Sequence, residues 1–105
     1  MELFLKSDLA KRLYASVKDL PIIDFHNHLV VEENRPFRDI TELWLESDPY
    51  KHRLMRICGV DEYYITGSAN PREKFRTFCT VFSKFAGTPV FDWCRMELYD
   101  IFGIE

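Results

Sequence analysis

The sequence feature with the clearest chemical meaning is a pair of histidines separated by one residue, His26 and His28. Successive residues of a strand alternate between its two faces, so both imidazoles would project from one face, with Asp24 behind them. Two neutral imidazoles about 6–7 Å apart at their Cα atoms can bind one divalent cation, and imidazole suits zinc. A third ligand must come from elsewhere, since the only other histidine is His52. Two surface or capping histidines are the alternative interpretation.

A strand over residues 22–27 would hold the histidine pair. β-Branched and aromatic residues follow Pro21 here, a pattern typical of strands. In parallel α/β folds, active sites gather at the carboxyl ends of strands, which is where the pair would lie. No other segment is a convincing strand. The partners of this strand must therefore come from another copy of the chain or from sequence beyond Glu105.

Helical signals account for most of the remaining sequence. A first helix is predicted over residues 8–19, with Ser7 as its N-cap. Short helical turns are predicted over residues 41–45 and 61–65. Three longer helices have an N-cap followed by proline at their start and glycine at their end: residues 48–59, 70–87 and 88–103. The predicted order is helix, strand, loop and then a helical region over residues 40–102.

Composition bounds the possible functions. The chain has 105 residues and a net charge of −3, with no basic stripe for nucleic acid and no apolar run that could cross a membrane. Its sixteen aromatic residues need burial, which predicts association between copies as a homo-oligomer. The odd number of cysteines, without a C-x-x-C pair, predicts buried thiols in a reducing cytoplasm: Cys58, Cys79 and Cys94.

Several segments together resemble the opening part of the uronate (glucuronate) isomerases of the amidohydrolase superfamily. Residues 21–29 are similar to the first-strand metal motif of amidohydrolase-type barrels, which many families share. The more specific similarity lies in the helical region, at residues 50–51, 55–56, 59–60 and 64–67. The resemblance runs over nearly all of residues 1–105.

The resemblance implies a (β/α)8 barrel with a helical insertion after its first strand. Residues 1–105 would then be an incomplete barrel of the α/β class, itself mostly α-helical, because a whole barrel needs about 200 residues or more. The implied activity is the reversible isomerisation of D-glucuronate to D-fructuronate and of D-galacturonate to D-tagaturonate. The family completes its site with an Asp and an Arg that would lie beyond Glu105. The 105-residue chain alone is therefore expected to be inactive.

Four positions carry the implied site. By resemblance, His26 and His28 are ligands of a divalent metal, zinc or manganese, and Tyr50 is catalytic and contacts the substrate. The alternative for Tyr50 is packing on the core. Arg53 can bind the uronate carboxylate, as can Arg56 on the same helix, since guanidinium suits bidentate recognition. The ordinary expectation for both arginines is a solvated helix face or a local ion pair. The family often has histidine directly before the tyrosine, where this chain has Pro49.

Other helical residues are expected to be structural. Tyr50, Leu54 and Cys58 would share the apolar stripe of their helix. His52 is expected on the surface rather than as a substitute for the missing histidine. Trp44 and Trp93 are expected as core anchors.

The implied chemistry agrees with these residue types. Moving a carbonyl from C1 to C2 removes the C2 proton and returns one at C1, through an enediol that a cation can stabilise. Two other hypotheses stay open. The protein could be another amidohydrolase-type metal-dependent hydrolase, or the isolated chain could be a non-catalytic helical module that self-associates.

Overall fold

The computed structural model describes residues 4–26 and 36–104. Within them, four α-helices follow one another along the chain: α1 (Asp8–Val17), α2 (Pro49–Ile57), α3 (Pro71–Val81) and α4 (Pro89–Phe102). Three short helical segments connect them: a π-helical turn at Glu42–Glu46 and 3-10 turns at Glu62–Tyr64 and Phe82–Phe85. The predicted helical character of residues 40–102 is confirmed.

The predicted strand over residues 22–27 does not form in the part that the structure describes. Residues 21–26 have no regular secondary structure, and residue 27 lies outside the described ranges. Ile22 and Phe25 are 92% and 96% exposed. A strand needs a neighbour for its backbone hydrogen bonds, and the described residues form no other strand, so the β-forming side chains alone do not impose one.

Helix α1 ends at Val17 rather than at the predicted residue 19. Its predicted N-cap is confirmed, because the Ser7 hydroxyl accepts a hydrogen bond from the Ala10 N–H at 3.1 Å. None of its residues is buried, and its apolar residues Leu9, Leu13 and Val17 are more than half exposed. The helix therefore contributes little to the core of the described chain.

Capping side chains fix the starts of the other three helices. The Asp48 carboxylate accepts from the N–H groups at the start of α2, and Asn70 and Glu73 form a capping box on α3. Thr88 caps α4, and each of the three helices has proline in its first turn. These local hydrogen bonds explain why the predicted starts are correct. The end of α3 differs, because the α-helix stops at Val81 and tightens into a 3-10 turn.

The core lies where α2, α3, α4 and the π-helical turn meet. Phe78 and Phe85 are each 1% exposed, with ring centroids 5.7 Å apart. The remaining core residues are Leu45, Met55, Ile65, Val81, Val90 and Cys94. Trp44 packs against this cluster as predicted, whereas Trp93 is 49% exposed. Its predicted role as a core anchor is therefore wrong.

The three cysteines are not equally buried. Cys94 is fully buried, Cys58 is partly buried and Cys79 is exposed. The predicted burial is wrong for Cys79 because α3 turns Phe78 and Val81 inward, and Cys79 lies about 100° around the helix from Phe78. Burial raises the pKa of the Cys94 thiol to about 11.

Candidate functional site

The histidine pair lies at the edge of the described part of the chain. His26 is exposed, and its backbone N–H donates to Asp24 Oδ1 at 3.2 Å. His28 lies outside the described residues, so the predicted convergence of the two imidazoles stays a prediction. Residues 4–26 and 36–104 contain no group of three metal-binding side chains. The exposed imidazole of His26 has the right donor chemistry for zinc or manganese, but any complete site needs ligands from elsewhere.

Tyr50 lies in the first turn of α2 and points away from the core. It is 61% exposed, and its backbone N–H donates to Asp48 Oδ1 at 2.9 Å. Its ring meets the ring of Trp93 edge to face, with centroids 6.4 Å apart. The alternative that Tyr50 packs on the core is therefore wrong. The phenol stays accessible to a ligand.

The buried face of α2 differs from the predicted stripe. Met55 is fully buried, and Lys51 and His52 are 4% and 8% exposed. Leu54 and Cys58 are only half-buried against the core. The face nearest the core is thus centred on Lys51 and Met55, which rotates Tyr50 outward.

Arg53 is exposed and lies one turn after Tyr50. Residues three apart in a helix are neighbours on its surface, so the phenol and the guanidinium share the exposed side of α2. Arg56, the other candidate for carboxylate binding, instead pairs with Glu62 of this chain. Its expected local ion pair is confirmed, which leaves Arg53 as the accessible guanidinium of α2.

Lys51 is a buried cation whose partners, among them two partly exposed carboxylates, the sequence did not reveal. Its Nζ donates to the Trp44 carbonyl oxygen at 2.7 Å and lies 3.1 Å from Asp48 Oδ2 and 3.9 Å from Glu97 Oε2. The ammonium also lies 4.6 Å from the centre of the Trp44 ring. The Trp44 indole N–H donates to the same Glu97 carboxylate. We call Trp44, Asp48, Lys51 and Glu97 the Lys51 cluster.

His52 is buried rather than on the surface. It is 8% exposed, and its Nε2 has no hydrogen-bond partner within residues 4–26 and 36–104. The predicted surface position is wrong because α2 packs with the side of Lys51, His52 and Met55 inward. His52 follows Tyr50 by two residues, and residues two apart do not share a helix face. It therefore does not replace the histidine that Pro49 displaces.

An apolar groove lies away from Tyr50. It has a volume of about 330 Å³ and is lined by Trp44, Phe75, Phe78, Phe82, Leu98 and other apolar residues. A charged, hydroxylated sugar acid needs polar partners that this lining lacks. The groove is therefore unsuited to a uronate.

Among the described residues, no helix has the length and apolar character that crossing a membrane would take.

Comparison with known protein families gives a match that covers the whole chain. A family model described as glucuronate isomerase matches residues 1–105. The chain therefore belongs to the glucuronate isomerase family.

Individual relatives give the same result. The uronate isomerase of Streptococcus uberis is 46% identical over 104 residues, which cover 96% of this chain and 22% of the relative. That of Caldicellulosiruptor saccharolyticus is 46% identical over 108 residues, covering 99% of this chain and 23% of the relative. The crystal structure of the Thermotoga maritima uronate isomerase superposes with a TM-score of 0.89 at 43% identity, covering 98% of this chain and 24% of that one. The chain thus spans about a fifth to a quarter of the relatives' length.

Proposed function

We propose that this chain is the amino-terminal part of an enzyme that isomerises D-glucuronate to D-fructuronate and D-galacturonate to D-tagaturonate. The family match over residues 1–105 supports this proposal. In the complete protein, these residues would supply the first strand and the helical insertion of a (β/α)8 barrel. Pairing with the remaining strands would supply the backbone partners of the strand predicted over residues 22–27 and would cover the side chains of Ile22, Ile23 and Phe25, which are exposed here.

The proposed metal ligands are His26 and His28, with a third ligand from outside this sequence. The ion would be zinc or manganese, and when bound it would supply a positive charge that stabilises the developing oxyanion of the enediol. The imidazoles would have to be neutral to bind it, so the affinity for the metal would fall in acid.

Tyr50 is the proposed catalytic residue of this segment. Its exposed phenol can donate a hydrogen bond to a substrate oxygen, or accept one from a hydroxyl, while the C2 proton is removed and a proton is returned to C1. Arg53, exposed one turn later, would bind the uronate carboxylate in a bidentate manner. Together they would hold the two ends of the substrate against α2.

The full reading frame that contains these residues tests the proposal. With zinc or manganese, the complete protein should isomerise D-glucuronate and D-galacturonate. The 105-residue chain alone should show no turnover, since the proposed site takes only His26 and His28 from it and needs a third ligand from elsewhere. Tyr50→Phe should lower kcat at least tenfold. Tyr63→Phe is the matched control, because Tyr63 is a half-exposed phenol outside α2. Hydrolysis of simple esters or amides without isomerisation would favour a metal-dependent hydrolase instead.

A self-associating state of the isolated chain is a second proposal with its own support. The whole of α1 lacks buried residues, and its apolar side chains remain exposed. Copies of the chain would cover these faces mutually as a homo-oligomer in the cytoplasm. Sedimentation of the 105-residue chain at several concentrations should show oligomers, and a monomer at every concentration would contradict this proposal.

A further inference from the structure

We propose that Lys51 is a positioning residue for Tyr50, acting through the cluster that joins the start of α2 to α4. This inference rests on the proposed function, in which Tyr50 contacts the substrate. It adds a role for a residue that does not itself reach solvent.

Tyr50 and Lys51 contact the same turn of α4. The Tyr50 ring packs against Trp93, and the Lys51 ammonium lies 3.9 Å from the carboxylate of Glu97. Trp93 and Glu97 are four residues apart, so they share a face of α4. The exposed contact between Tyr50 and Trp93 thus lies directly beside the Lys51 cluster, in which only the lysine is buried. A movement of α2 relative to α4 would change both.

The Lys51 cluster fixes the position of the first turn of α2 relative to α4. The side chain of Lys51 is 5% exposed, and its ammonium is fixed by the Trp44 carbonyl oxygen at 2.7 Å and by Asp48 at 3.1 Å. Asp48 is also the N-cap of α2. A buried ammonium needs these partners, since an unpaired charge in the interior is strongly disfavoured. The cation therefore ties the first turn of α2 to the π-helical turn and to α4.

Loss of the cation would leave the carboxylates of Asp48 and Glu97 repelling each other. The first turn of α2 would shift relative to α4 and carry the Tyr50 phenol with it. A displacement of about 1 Å at a reacting group can lower a rate about 100-fold. Lys51→Met, which keeps the length and apolar stem of the side chain, should lower kcat of the complete enzyme ten- to 100-fold with less than a threefold change in KM.

Nuclear Overhauser effects in the 105-residue chain test the positioning without any assay of activity. The parent chain should show cross-peaks between the Tyr50 and Trp93 rings, as their edge-to-face contact requires. Lys51→Met should remove them, while Lys84→Met, at an exposed lysine, should retain them. Cross-peaks of undiminished strength in folded Lys51→Met would overturn the inference. If Lys51→Met does not fold, Glu97→Gln tests the tie to α4 alone, because the amide keeps the acceptor for Trp44 but removes the charge that Lys51 meets on α4. The Tyr50–Trp93 cross-peaks should then weaken, and undiminished cross-peaks would overturn the inference.

A double-mutant cycle in the complete enzyme separates this inference from the proposed function. If Lys51 acts through Tyr50, the kcat of Tyr50→Phe/Lys51→Met should lie within threefold of that of Tyr50→Phe alone. Losses that multiply would overturn the positioning role and leave the catalytic role of Tyr50 intact. An unchanged kcat in Tyr50→Phe would instead overturn the role of Tyr50 and, with it, that of Lys51.

Discussion

Arg56 and Glu62 form a bidentate ion pair between α2 and the 3-10 turn that follows it. Arg56 Nε lies 2.8 Å from Glu62 Oε2, and Nη2 lies 2.6 Å from Oε1. The Thr66 hydroxyl donates to the same carboxylate. The hydrogen bonds from Arg56 and then from Thr66 favour the charged form and lower the pKa of Glu62 to about 2.

This pair predicts a specific loss of stability in acid. Since the folded pKa is below the ordinary value of 4.5, the contribution of Glu62 is complete above pH 4.5 and is lost as the pH falls towards about 2. Glu62→Gln and Arg56→Met should both flatten the fall of unfolding free energy across that range, measured by urea titration at several pH values. Arg53→Met, at an exposed arginine of the same helix, should leave the slope unchanged. An identical slope in Glu62→Gln would refute the assignment.

The position of the core predicts that truncating two different phenylalanines will have unequal effects on the unfolding free energy. Phe78 is 1% exposed and contacts the rings of Trp44, Phe82 and Phe85. Phe78→Ala should lower the unfolding free energy by about 3–5 kcal/mol through lost burial and the cavity left behind. Phe25→Ala should change it by less than about 0.5 kcal/mol, because Phe25 is 96% exposed. Denaturant unfolding measures both, and a similar cost for the two variants would contradict the position of the core.

The helices could be predicted from the sequence because their signals are local. Asp48, Asn70 and Thr88 each satisfy N–H groups within three residues, so the cap and the proline after it fix the start of a helix whatever surrounds it. The strand over residues 22–27 could not be predicted in the same way. Its hydrogen bonds depend on a neighbour that is distant in sequence.

The candidate site could be predicted only in part, for the same reason. The resemblance identified Tyr50, but helix periodicity placed it on the apolar stripe. Lys51 is a charged residue whose partners include Trp44 and Glu97, which are far apart in sequence. No local pattern reveals that such acceptors converge, and the burial of Lys51 is what turns Tyr50 outward.

Gly67 lies just after the 3-10 turn at Glu62–Tyr64, and the backbone there leaves no room for a larger residue. A Cβ atom at this position would lie 2.5 Å from the Tyr63 Cα and 2.9 Å from the Glu62 carbonyl oxygen. These are backbone atoms, so Gly67→Ala should cost about 2 kcal/mol or more. Gly59→Ala should cost about 1 kcal/mol, since its φ of 78° is unfavourable but the space is open.

Thermal and denaturant unfolding of Gly67→Ala and Gly59→Ala would show which of the two variants loses more stability. Ser68→Ala, next to Gly67 and exposed, serves as the control for any substitution in this turn and should be close to neutral. A Gly67→Ala variant no less stable than Gly59→Ala would show that the backbone of the turn relaxes away from the added methyl group.

Replacing His52 with an apolar residue should not lower the unfolding free energy. Its Nε2 is buried without a hydrogen-bond partner among the described residues, and such a group carries the cost of lost hydration without compensation. His52→Leu keeps a side chain of similar volume and removes the polar atoms, so the unfolding free energy should stay the same or rise by about 1 kcal/mol. His26→Leu, at an exposed histidine, is the control for the change of residue type and should be nearly neutral. A loss of more than about 1 kcal/mol in His52→Leu by urea unfolding would mean that the imidazole makes a stabilising polar contact on this side of α2.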